Sequence, residues 1–174
     1  MKTSQTIFLA LILCLACLGG ACTGNRTAAH TSKTKPSIEP RTALEVLRLR
    51  QPNTEWSSKS LLQGDLDQSG GTDFAATGLR KDRFVVGIVE GPISARSRTW
   101  FLDFPWKGGG EGALCSEKAK MTIEPLDSAA KAGERKVANK PGKPGVGLNL
   151  HDDRCDAFHI YWDAERKTFD WWRL

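Results

Sequence analysis

Apolar positions alternate with polar ones through most of the second half of the chain, and a helical spacing appears in one place only. Thr42-Ala-Leu-Glu45 has the form of a capping box, Thr42 accepting from the backbone and Glu45 reaching back, and Leu44, Val46, Leu47 and Leu49 go with it. Pro52 stops that helix. Phe84-Val-Val-Gly-Ile-Val89 is apolar on both faces and reads as a central strand. Arg98, Trp100, Leu102 and Phe104 share one face of another strand, with Ser97, Thr99, Phe101 and Asp103 between them. Alternation recurs in Met121–Glu124, in Val146–Leu150 and in Phe158, Ile160 and Trp162, and Thr168–Leu174 pairs back through the turn Asp163–Lys167. With a strand entered at Phe74, roughly seven short strands predict a mainly β, α+β fold, a small antiparallel domain over residues 42–174 with one N-terminal helix.

The N-terminus has a different pattern. Lys2, an apolar run from Ile7 to Leu18 and Gly19-Gly20-Ala21-Cys22 have the layout of a bacterial export signal, and the run is too short to span a bilayer. Small residues before a cysteine resemble a lipoprotein signal, which implies removal of residues 1–21 and a lipid on Cys22; Cys17, or simple cleavage after Ala21, is the alternative. Leu18 stands four places before Cys22, one further than such signals usually have it. Residues 22–41 are polar, with Ile38 the one large aliphatic, and read as a flexible tether. The expectation is an exported protein of the bacterial envelope, anchored to the membrane through lipid on the periplasmic or outer side.

At 174 residues the chain is too short for a large multidomain enzyme. Its net charge of +5 falls to +4 without residues 1–21, which hold one Lys and no acid. Mild basicity in an exported chain argues against a nucleic-acid partner. Five cations lie between Lys131 and Lys143 among Gly and Pro, the pattern of a solvated loop, or of a contact for anionic headgroups. Three of the five cysteines fall in the first 22 residues, and the even remainder, Cys115 and Cys155, reads as one disulfide in an oxidising compartment.

The segment richest in chemistry is Gly64-Asp-Leu-Asp-Gln-Ser-Gly-Gly-Thr-Asp73. Asp65, Asp67 and Ser69 with Gly70 at position six match the start of an EF-hand loop, in which alternate oxygens converge on Ca²⁺. Position twelve is Ala76, so the bidentate Glu is missing, and a strand rather than a helix follows. The segment resembles the calcium loop of FG-GAP and VCBS-type repeats, the integrin-like family. That resemblance implies Ca²⁺ bound by Asp65, Asp67, Ser69, the Gly71 carbonyl and Asp73, the last bidentate. Ser69 stands where the family usually has Asp or Asn, which implies weaker binding. With one copy of the motif, no propeller can form from this chain alone.

Other constellations carry less. Trp100, Trp162, Trp171 and Trp172 sit in proposed strands and read as core more readily than as a sugar platform; adjacent Trp171 and Trp172 must face opposite ways, one buried and the other the better candidate for a contact surface. His151, Cys155 and His159 have zinc-type identities, but on one continuous strand the histidines would be about 26 Å apart at about 3.3 Å per residue. Ser128-Ala-Ala-Lys131 fits Ser-x-x-Lys without its companion motifs. No catalytic set stands out. The leading expectation is a non-catalytic envelope lipoprotein that presents a surface to another protein or a polysaccharide. The alternatives are an inhibitor or immunity protein against a toxin or cell-wall hydrolase, and a hydrolase using His151, Asp152, Asp153 or His159.

Overall fold

Nine strands and one short helix account for the regular structure of the described residues. The structure is a computed structural model that describes residues 42–107, 109–126 and 145–173. The export signal, the tether, Cys22, the Lys131–Lys143 basic run and Ser128 lie outside those residues.

The helix, α1 (Ala43–Arg50), begins as its sequence dictates: the Glu45 N–H donates to Thr42 Oγ1 at 3.2 Å and the Thr42 N–H donates to Glu45 Oε2 at 3.0 Å. Two very short strands follow, β1 (Glu55–Trp56) and β2 (Leu62–Gly64), separated by a 3₁₀ turn at Ser58–Ser60. Then come β3 (Asp73–Arg80), β4 (Arg83–Val89) and β5 (Thr99–Pro105). These make the first antiparallel sheet, in the order β1-β3-β4-β5 with β2 also on β3. The second sheet is an antiparallel meander of β6 (Lys120–Pro125), β7 (Val146–His151), β8 (Phe158–Asp163) and β9 (Thr168–Arg173). The domain is therefore β-rich with a single short helix, as the alternation predicts. The two strands missed from sequence, β1 and β2, have two and three residues, too few for any periodicity to register.

Strand β4 is buried on both faces because each face has its own cover. Phe84, Val86 and Ile88 enter the core shared by the two sheets, with Ala75 and Phe104 from the first and Leu148, Leu150, Phe158 and Ile160 from the second. Val85 and Val89 point the other way, under Leu44, Val46 and Leu47 of α1 and under Trp56. Rings of β5 zip the sheets together against β8 and β9: Trp100 meets Trp162 at 5.4 Å and Phe169 at 5.3 Å, and Phe104 meets Phe158 at 4.7 Å. Aromatic pairs at such spacings add to the area they bury.

The adjacent tryptophans do take opposite faces, but neither stands free. Trp171 packs inward on Phe104 and Phe158, whereas Trp172 is 7% exposed and stacks on the His159 ring at 4.0 Å. Cys115 and Cys155 form the expected disulfide, with 6.0 Å between Cα atoms.

Candidate metal centre

Strands β2 and β3 form a hairpin whose last pair is Gly64 opposite Asp73. This register places the two ends of the intervening loop side by side, about one strand spacing of ~4.8 Å apart. Asp65 and Asp73, eight positions apart in sequence, therefore become neighbours at the neck. Leu66, 1% exposed, plugs into the shared core and holds the loop inward.

Asp65, Asp67 and Asp73 each offer a carboxylate oxygen, and these oxygens lie within 4.8 Å of one another. Asp73 is 1% exposed and Asp67 7%, and Asp65 is half-buried. Acidic side chains are seldom this buried without compensation, and the loop supplies it through backbone donors. Asp73 Oδ2 accepts from the N–H groups of Leu66 at 2.9 Å and Asp67 at 3.0 Å, and its Oδ1 accepts from Gly91 at 3.3 Å. Asp67 Oδ1 accepts from Ser69 at 2.8 Å, and Asp65 Oδ1 accepts from Gly70 at 2.9 Å. Gly70 occupies φ +95°, the left-handed turn that position six of the motif calls for. Ser69 and Gly71 lie on the exposed rim of the loop, joined by an N–H donation from Gly71 to Ser69 Oγ at 3.2 Å.

Burial, reinforced by the negative charge of Asp67, pushes the Asp73 carboxyl up from its ordinary value, although three N–H donors pull the other way. A divalent cation between these carboxylates would relieve that penalty, since opposite charge favours the ionised form. A guanidinium lies near these acids as well. Arg98 is held by Glu90 through two contacts of 2.6 Å, and its charge is also felt by Asp67 and Asp73. The Glu90 partnership raises Arg98 and lowers Glu90 relative to their ordinary values.

Gly91 also supports this loop, which its place in the sequence does not reveal. Its N–H reaches Asp73 because β4 runs antiparallel to β3 and delivers the β4–β5 turn to the same end of the sheet. A Cβ on Gly91 would overlap the Thr72 carbonyl oxygen, so the close approach requires glycine. Gly91-Pro92 directly after a central strand was the available signal, but it marks a turn without saying what the turn touches.

The other expected groups divide into separate pairs. His151 and His159 do not share one extended strand: they end β7 and begin β8, with Asn149 directly opposite His159. Their Nδ1 atoms go to different carboxylates, His151 to Asp153 at 3.1 Å and His159 to Glu124 at 2.8 Å. Asn149 also donates to Glu124 at 3.2 Å, making a cross-strand group that sequence spacing gives no hint of. Asp152 is buried and serves structure: it accepts the backbone N–H groups of Arg154 at 3.1 Å and Cys155 at 3.0 Å, and that of Cys115. Cys155 is committed to Cys115 rather than to a metal. Among the described residues, the Asp65, Asp67 and Asp73 group is where three metal-type side chains converge.

Comparison of the chain with protein families, with curated proteins and with solved structures finds no match.

Proposed function

We propose that this chain is a non-catalytic, lipid-anchored protein of the bacterial envelope, whose small β domain binds Ca²⁺ in the Asp65–Asp73 loop and presents a surface to a macromolecular partner. The observation that carries the metal reading is the approach of three carboxylates to within 4.8 Å, two of them buried. Hard oxygen ligands suit Ca²⁺ better than softer metals. The loop keeps the spacing of the FG-GAP calcium motif, including the glycine turn after Ser69, which supports the same ion. Binding would neutralise the charge that Asp65, Asp67 and Asp73 build up and would tie the β2–β3 hairpin to the β4–β5 turn through Asp73. Calcium thus acts in structure rather than in turnover. Export, the lipid on Cys22 and the Cys115–Cys155 disulfide belong to one setting, since an oxidising, calcium-containing compartment lies outside the cytoplasm.

The test is a melt of the purified chain with and without millimolar Ca²⁺. For a site of ~10⁻⁴ M affinity at ~10⁻³ M Ca²⁺, mass action gives about 1.4 kcal/mol of added stability. Asp67→Ala should remove that gain. Equal melting temperatures with Ca²⁺ and with chelator would refute the metal reading.

A further inference from the structure

Rings of β5 meet those of β8 and β9 at one seam between the sheets, and at the other Gly64 of β2 comes close to the Ile123 side chain of β6. There, a cleft of about 450 Å³ runs between β1 and β3 on one wall and β6 on the other. A cleft of this size lies within the ~300–1,000 Å³ typical of binding sites. We propose that this cleft receives an extended, acidic polypeptide segment that adds as a strand to the free edge of β6.

Three observations support this occupant. Strand β6 pairs with β7 alone, so among the described residues its other edge has no strand partner, and such an edge is a template for another chain. Lys120, Met121 and Thr122 of that strand line the cleft. The lining mixes apolar side chains, Leu79, Phe84 and Met121, with the hydroxyl residues Ser57, Ser60 and Thr77. An added strand has side chains of period two, one set for apolar lining and the other for polar.

Charge selects the kind of segment. Lys59 and Lys120 line the cleft against one acid, Glu55. Lys59 has no ion pair among the described residues, and Lys120 has one loose contact with Asp153 at 3.5 Å between two exposed side chains. Such a contact contributes little, so both ammonium groups are available to a partner's carboxylates. A polysaccharide fits less well. Stacking on a sugar needs an open aromatic face, and the aromatic ring of this cleft, Phe84, is 4% exposed. The cleft has no residue in common with the Asp65–Asp73 loop, so strand addition and calcium binding succeed or fail separately.

The full chain is titrated with the capped peptide Glu-Val-Glu-Val-Glu-Val and with its Lys-for-Glu counterpart, following amide hydrogen exchange and binding. The acidic peptide is expected to slow exchange of the β6 amides. Lys59→Glu, an exposed and structurally mild change, should weaken its binding by about tenfold, and the basic peptide should bind about tenfold more weakly than the acidic one. Unchanged β6 exchange at millimolar peptide would overturn the proposal. So would equal binding of the two peptides, or chito-oligosaccharide protecting β6 where the acidic peptide does not.

Discussion

The carboxylate of Asp73 and the backbone N–H of Gly91 meet at 3.3 Å, joining the candidate metal loop to the turn that follows the central strand β4. Asp73 also holds the N–H groups of Leu66 and Asp67, so it supports the loop whether or not an ion is bound. The two acids should therefore behave differently. Asp73→Ala leaves three donors without their acceptor and should cost about 2–3 kcal/mol with or without calcium. Asp67→Ala gives up one N–H contact, from Ser69, and should cost about 1 kcal/mol in chelator while abolishing the calcium-dependent rise. Chemical denaturation of both variants, each with and without Ca²⁺, checks this; identical responses would contradict the division of roles.

Arg98 places a positive charge where Asp67 and Asp73 feel it, and its removal also frees the carboxylate of Glu90. Arg98→Gln should therefore strengthen calcium binding by about threefold at low ionic strength, with a smaller effect as salt is added. Isothermal titration at two salt concentrations measures it. Weaker binding in the variant would show that the guanidinium serves the loop rather than opposing the ion.

Asp152 anchors both ends of the disulfide region, bonding backbone from Cys115, Arg154 and Cys155. Burial pushes its carboxyl up, but the N–H donors together outweigh burial and hold it below the ordinary value of 3.8. The folded chain thus binds this proton less readily than the unfolded one. Its stabilisation is complete above 3.8 and is lost as pH falls through the lower folded value. Asp152→Asn turns one acceptor into an amide donor facing N–H groups and should cost about 2 kcal/mol at neutral pH. The gap from wild type should narrow as pH falls below that ordinary value. Unfolding curves at neutral and strongly acidic pH test the sign.

The helix is held by its buried face more than by its cap. Leu47 is 0% exposed under Trp56 and β4, and Leu47→Ala should cost about 2–4 kcal/mol. Thr42→Ala removes the capping contact and should cost about 1 kcal/mol. Urea midpoints with an unchanged slope would report these as stability differences.

The helix and its cap, the longer strands and the parity of the last two cysteines were legible in the chain because each is a local periodicity, spacing or count. The same holds for the loop: the alternation of Asp65, Asp67 and Ser69 before Gly70 is a pattern within a few residues. β1 and β2 were not legible, since strands of two and three residues exist only because β3 offers them an edge. The placement of His151 and His159 was not legible for a related reason: the chain turns between them, so they lie on successive strands.

By itself, then, the sequence determined where the longer strands run, where carboxylates alternate along one loop and which two cysteines pair. Tertiary structure alone decided that Asp73 is buried and shares its carboxylate with Gly91, that His159 finds Glu124 across β7, that Trp171 and Trp172 both pack on other rings, and that β6 has one strand partner among the described residues. The physical reason is common to all four. Local pattern sets which way a side chain points from its own strand, whereas its neighbours are set by which strands pair and in what register.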